Sequence, residues 1–361
     1  IKCRFTGMRV EGKVAVVTGG GTGMGRYLVV GLAKLGCHVA ICDVNEDAMR
    51  ETAVMAARPG ITISTHACDV TNTSEVVGFR DEVVAIHGMV NLLFNNAGIA
   101  CSARLLLPAD TTADDAAIHE EQWNRCFNVC FHGVVNVTRA FLPSIVNSSD
   151  GYIVNTSSVN GFWTWPEHSS YASAKFAVRG FSEALMADCM VGAPHVKVAC
   201  VHPGGVKTDI ANNRLSPPGE SPDFRGKISQ QFTDVCDLSA EEAADWILSG
   251  VACDKTRILV GYDAVLLDLM VRLGPRWSYE LWAAMGRQGL NPQERLRQEQ
   301  QGLKLPDLSF GQKLRILAGG LWYPLLFVLP MEVLKRRREW WFVPTVVSGV
   351  AAGAGVLRSR L

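Results

Sequence analysis

The sequence predicts an α/β fold, a doubly wound parallel sheet flanked by helices, on three observations. Short apolar runs alternate with amphipathic stretches from residue 14 to residue 260, a glycine-rich turn follows the first run directly, and the chemistry-bearing residues fall at the ends of these runs or on the helices after them. Strands buried on both faces read as continuous apolar runs, and a sheet covered on both sides by crossover helices produces this alternation, with its ligand at the carboxyl edge.

The elements follow in order. Residues 14–18 form the first strand candidate, Gly19 to Gly25 the turn, and residues 26–35 an amphipathic helix. Glycines there permit a tight turn and close approach of a pyrophosphate, while the helix N-terminus offers unpaired N–H groups to phosphate. The second run, 39–43, ends in Asp43, eighteen residues after Gly25. An acid at that strand end accepts hydrogen bonds from the adenosine ribose and repels a 2′-phosphate, which predicts NAD over NADP. A helix cap near Asn45 is the alternative role for Asp43. Further strands are expected at 61–67, 91–95, 151–157, 196–202 and 257–260. Residues 98–121, with Asp110, Asp114 and Asp115, read as a polar surface excursion, and 212–231, rich in Pro, Ser and Gly, as a loop.

Hydride transfer at a carbinol carbon needs a partner that moves the hydroxyl proton in the same event. Tyr171 and Lys175 lie one helical turn apart on one face, so the lysine charge, together with an oxidised nicotinamide ring, favours the phenolate. Tyr171 is the expected general acid/base. Taken singly, Tyr171, Lys175, Ser158 and Asn128 each have an ordinary structural reading; their combination is the signal. Trp163 and Trp165 stand between the serine and the tyrosine, either lining an apolar substrate mouth or packing the loop.

Thr18 to Gly25 (T-G-x-x-x-G-x-G), Asp69-Val70, Asn95-Asn96-Ala97-Gly98, Asn128, Ser158, Tyr171-Ala-Ser-Ala-Lys175 and Pro203-Gly204 through Thr208 resemble, in order and spacing, the motif set of the short-chain dehydrogenase/reductase family. The likeness covers roughly residues 10–262 and implies a Rossmann-type NAD(P)-binding domain, here bounded at 8–262. It implies catalysis by Asn128, Ser158, Tyr171 and Lys175: the serine orients the substrate oxygen, the lysine also holds the nicotinamide ribose, and the asparagine serves a water-linked proton relay. Ser158 rather than Ser157 stands thirteen residues before the tyrosine, as in the family. The likeness further implies cofactor contacts from Gly19, Gly23, Met24, Gly25, Asp43, Asp69, Val70, Asn95, Ala97, Gly98, Tyr171, Lys175, Pro203, Gly204, Val206 and Thr208. It places a mobile substrate lid at 212–231.

At 361 residues the chain exceeds one such domain by about a hundred. Thirty-five basic and thirty-five acidic residues cancel, so nothing points to nucleic acid. The eleven cysteines lack zinc-type pairing; Cys126 and Cys130 share a helix face without a histidine pair. No metal is expected, and the cysteines read as buried thiols of a reducing compartment. Residues 1–10 carry no apolar signal segment, and a targeting segment removed before Ile1 would leave the organelle open.

After residue 262 the character changes to a helical, apolar C-terminal extension, 263–361, with strongly apolar segments at 316–334 and 340–357 around Lys335-Arg-Arg-Arg338. Eighteen helical residues reach about 27 Å, near the ~30 Å apolar core of a bilayer, and Trp340 and Trp341 beside the basic cluster suit an interface. Membrane association, membrane-complex partners through 316–357, or an oligomer interface are the expectations. Two functions follow: an NAD-dependent dehydrogenase of a lipophilic secondary alcohol or ketone in lipid metabolism, or an accessory subunit of a membrane complex that keeps the fold for a structural role.

Overall fold

The structure, a computed structural model, describes residues 10–274 and 279, apart from 103, 104, 106, 108–110, 165–167, 217, 219 and 221. The apolar segments 316–334 and 340–357, the basic cluster between them and Trp165 lie outside the described residues.

Seven parallel strands form one sheet: β1 (Val14–Thr18), β2 (His38–Asp43), β3 (Ile63–Ala67), β4 (Leu92–Asn95), β5 (Gly151–Thr156), β6 (Val196–Pro203) and, after a two-residue pair β7 (Val206–Lys207) and β8 (Leu238–Ser239), β9 (Arg257–Val260). Their order is β3-β2-β1-β4-β5-β6-β9, with β7 paired only to β8. The helices are α1 (Gly23–Lys34), α2 (Glu46–Ala56), α3 (Thr73–His87), α4 (Ala113–Phe127), α5 (Gly133–Val146), α6 (Ser169–Gly192), α7 (Pro222–Val235), α8 (Ala240–Ala252) and α9 (Tyr262–Leu273).

Alternate side chains of the strands divide the core. Ala15, Val17, Val39 and Ile41 face Leu28 and Leu32 of α1 and Ile247 of α8. Val14, Val16 and Ala40 face Phe79 of α3, Val137 and Phe141 of α5 and Leu185 of α6. This is the two-sided burial that the continuous apolar runs predict. Ala113–Val146 is long and apolar enough, by length and composition, to cross a membrane. Its Val137, Phe141 and Ile145 are buried on the sheet, as in a core helix.

Two expectations are corrected. The polar excursion 98–121 becomes α4 from Ala113, because Thr112 caps it, its hydroxyl accepting from the Asp115 amide at 3.1 Å, and Asp114 and Asp115 sit favourably at the positive end of the helix dipole. The acids that suggested a solvated loop are a helix start. Likewise the loop expected at 212–231 turns helical at Pro222, a residue suited to a first turn. Two smaller boundaries also move: α1 begins at Gly23, inside the glycine turn, and β3 begins at Ile63, since the Ile61 amide bonds Arg58 O in a turn.

Candidate active site

Strand β1 lies between β2 and β4, so the chain winds outward in opposite directions from this point and a crevice opens at the carboxyl ends. The loops on its two sides are tied together. Thr18 Oγ1 accepts from the Asn96 and Ala97 amides, each at 3.1 Å, and Asn96 Nδ2 donates to Gly19 O at 3.2 Å. Gly19 has φ +63°, and a Cβ there would stand 2.8 Å from Ala97 Cα; a Cβ on Gly25 would stand 1.9 Å from Gly19 O. Only glycine fits either position. Helix α1 has neither a side-chain cap nor an acid in its first turn, so its leading N–H groups are left for an anion.

The crevice is a cleft of about 970 Å³ lined, among others, by Gly19, Gly23, Met24, Asp43, Asp69, Val70, Ala97, Gly98, Asn128 and Thr208. Asp43 is not the cap of α2. Asn45 takes that role, accepting from the Ala48 amide at 3.0 Å, while Asp43 accepts from the Gly21 amide at 2.9 Å and the Asn45 amide at 3.1 Å. Arg26 is engaged elsewhere, donating to Gly21 O at 2.9 Å and to Glu51 at 2.8 Å. Asp69 accepts from the Thr71 amide at 2.9 Å, and the Val70 carbonyl from Asn136 Nδ2 at 3.1 Å.

Beyond the cleft, Lys175 is buried and donates to the Thr156 carbonyl at 2.9 Å, with Nζ 5.5 Å from the centre of the Tyr171 ring. Ser157 Oγ donates to the Lys175 carbonyl at 2.7 Å and so locks strand to helix. Ser158 instead caps the short turn Val159–Gly161, its Oγ accepting from the Asn160 amide at 3.2 Å. Asn128 opens a single π turn, Asn128–His132, between α4 and α5. Such bulges recur at functional sites.

Burial raises the Tyr171 phenol above its ordinary pKa, and the Lys175 charge and a Ser158 hydrogen bond pull against it without prevailing. The lysine alone therefore does not deliver the phenolate. Burial opposes the Lys175 charge too, but Cys130 and Tyr171 beside it favour the ammonium, and its pKa stands above the usual value.

Several expected cofactor residues face inward. Asn95 is buried, its amide donating to Thr138 Oγ1 at 2.9 Å and Asn155 Oδ1 at 2.8 Å, which joins β4, α5 and β5. Gly25 packs under the turn. Pro203 and Val206 are buried, the Gly204 amide bonds the Val260 carbonyl at 2.9 Å, and Val206 pairs with Leu238. Trp163 is wholly buried, which supports the packed-loop reading.

Sequence reasoning missed His202, whose Nδ1 is 2.9 Å from the Ser158 carbonyl, and Asp263, which accepts from the Gly205 amide at 2.6 Å. A histidine inside an apolar strand was the available signal for the first; no pattern marks the second. Nine cysteines among the described residues are free and buried, Cys126 and Cys130 with them.

The family model described as short chain dehydrogenase matches residues 13–218. SadH of Mycobacterium tuberculosis, a protein named as an oxidoreductase, is 39% identical over 281 residues, covering 76% of this chain and 95% of its own. Estradiol 17-beta-dehydrogenase 11 of Mus musculus is 27% identical over 267 residues, 74% of this chain and 81% of its own. A short-chain dehydrogenase/reductase of Burkholderia phymatum, solved in complex with NAD, superposes with a TM-score of 0.64 at 28% identity, covering 73% of this chain and 94% of that one. One of Burkholderia cenocepacia, solved with NADP, shares the fold at a TM-score of 0.57 and 24% identity, over 74% of this chain and 96% of that one. With this match over more than half its length, the chain belongs to the short-chain dehydrogenase/reductase family, NAD(P)-linked oxidoreductases of small-molecule alcohols and ketones built on a Rossmann-type sheet.

Proposed function

We propose that this protein is an NAD-dependent dehydrogenase that interconverts a lipophilic secondary alcohol and its ketone. The observation that carries the reading is the buried Lys175 beside Tyr171, with Ser158 facing the same phenol and the Lys175 ammonium next to Gly98 of the cleft wall. Gly19 and Gly25, where a Cβ would collide with backbone, and the uncapped start of α1 fit a pyrophosphate. Nicotinamide bound in the cleft supplies the hydride acceptor or donor. Tyr171 Oη takes the hydroxyl proton in oxidation and returns it in reduction, and Ser158 Oγ holds the substrate oxygen. Lys175 holds the nicotinamide ribose and stabilises the phenolate, and Asn128 serves the proton relay.

The NAD preference rests on Asp43 at the cleft, where its charge repels a 2′-phosphate, and on Arg26 being committed to Gly21 and Glu51. Lipophilicity of the substrate rests on the apolar cluster of Ile99, Trp123, Phe127 and Leu215 packed about Cys101 and Cys126 next to Tyr171, and on a relative named for a steroid alcohol. The same reading gives residues 263–361 the role of a membrane-associating extension, with 316–357 as the contact. The complete Asn128, Ser158, Tyr171 and Lys175 set favours catalysis over a purely structural subunit.

Tyr171→Phe tests the reading. It removes the transferable proton and keeps the ring, so turnover should fall by about a hundred- to ten-thousand-fold while NAD titration stays close to wild type. Turnover at the wild-type rate would sink the assignment.

A further inference from the structure

His202 stands next to last in β6, just before the Pro203-Gly204 turn, and is completely buried. Its Nδ1 lies 2.9 Å from the Ser158 carbonyl oxygen. A carbonyl only accepts, so Nδ1 carries the proton and Nε2 is bare. Nε2 is buried too and has no hydrogen-bond partner among the described residues. The imidazole leans on Phe162, ring centres 5.3 Å apart, and the Arg257 guanidinium covers that phenylalanine at 5.3 Å.

A buried imidazole with half of its polar capacity unused is a poor core residue, since an unmet acceptor costs free energy that leucine at the same place avoids. What the histidine adds is one hydrogen bond, and its location is informative. The Ser157 amide bonds Val201 O at 2.8 Å, tying β5 to β6 one residue before Ser158. Ser158 then leaves the sheet to cap the turn Val159–Gly161. The Ser158 carbonyl accepts from the Gly161 amide at 2.9 Å inside that turn, and His202 is what ties the same oxygen across to β6.

We propose that His202 is a positioning residue: its Nδ1–H fixes the peptide following Ser158 and thereby aims the Ser158 hydroxyl at the substrate oxygen and the Tyr171 phenol. The inference rests on the roles given above to Ser158 and Tyr171. The charged groups facing His202 are Arg257 of β9, Arg179 of α6 and Asp268 of α9. Burial, then the two arginines, hold the imidazole down to about 4 against the pull of the Ser158 carbonyl and Asp268, so the bond persists throughout the neutral range. Those facing Tyr171 are Lys175 of its own helix and the thiols Cys126 of α4 and Cys130 of the π turn.

The test uses the full chain and three variants. His202→Leu keeps bulk and removes the donor. His202→Asn sets an amide N–H where Nδ1 was, and His202→Gln sets it at the Nε2 position instead. Two readouts are taken: kcat and KM for 2-decanol oxidation with NAD across pH, and the titration of the Tyr171 phenol by nuclear magnetic resonance of 13Cζ-labelled tyrosine, its signal assigned with Tyr171→Phe. The second needs no substrate.

His202→Leu should lower kcat about tenfold or more with the KM for NAD unchanged, and move the Tyr171 titration upward by about one pH unit, because the Ser158 hydrogen bond to the phenol is loosened. His202→Asn should restore both readouts and His202→Gln should not. A wild-type Tyr171 titration and kcat in His202→Leu overturn the proposal, and so does His202→Asn behaving like His202→Leu, which would make the histidine a packing residue only. If His202→Leu does not fold, the Asn and Gln pair carries the same decision. Full turnover by Tyr171→Phe overturns the underlying reaction instead, whereas a shifted phenol in His202→Leu upholds the positioning contact on its own.

Discussion

Asp43 was legible from its place after an apolar run, and the competing cap role fell to Asn45, which no spacing rule distinguishes from it in advance. Its carboxylate accepts from Gly21 and Asn45, so its worth can be measured against both cofactors. Asp43→Ala should weaken NAD binding about tenfold and leave NADP binding equal or better, since the lost groups are charged hydrogen bonds worth roughly 1.5–3 kcal/mol and a like charge is removed. Isothermal titration with each nucleotide checks it; a native preference for NADP would refute the role. His202 was not legible, because its partner is a backbone carbonyl on another strand. Its folded pKa of about 4 lies below the unfolded 6.5, so the unfolded chain takes up the proton first. The stability from keeping it neutral is therefore complete above pH 6.5 and falls as pH drops toward 4, by an amount on the order of 3 kcal/mol. Urea unfolding at pH 7 and pH 4.5 should show a larger loss for the native protein than for His202→Asn.

At the scale of elements, the seven main strands appear within two residues of the runs that predict them; in β1, β4 and β5 above all, two-sided burial writes itself into the sequence as unbroken apolar stretches, whereas the edge strand β3 is mostly polar and only one of its residues is buried. Helix α4 was hidden for the opposite reason. Of its residues only Cys126 is buried and its composition is far more polar than that of α1, so the stretch reads as solvated surface although Thr112 and two acids mark a helix start. Pairing across elements was equally hidden: nothing in sequence joins Asn95 to Thr138 and Asn155, yet this buried amide connects three elements. The glycine turn was legible and makes a sharp prediction. Gly25→Ala drives a methyl into Gly19 O, and the backbone of the turn must yield; a loss of about 1–3 kcal/mol of stability is expected, with NAD binding weakened tenfold or more. Thermal melts and nucleotide titration would show it, and a variant with unchanged affinity would mean that the turn does not cradle the cofactor.

For the molecule as a whole, the residues proposed to bind the nucleotide end at Thr208, and helix α9 continues to Leu273. The proposed membrane role of 316–357 therefore separates cleanly from cofactor binding. A chain ended after Gly302 should lose flotation with liposomes and keep its NAD affinity within about twofold, because a contiguous apolar surface of that length is not tolerated in water by soluble monomers. Native protein that stays monodisperse without detergent would favour an oligomer interface. The same organisation has a mechanical consequence at the centre of the sheet. Thr18 and Asn96 bolt the turn after β1 to the loop after β4, so the two banks of the cleft cannot drift apart independently. The two halves of a dinucleotide would thus meet banks that are stitched to each other, and a substitution that breaks the stitch, such as Thr18→Ala, removes the acceptor of two amides of the far loop at once.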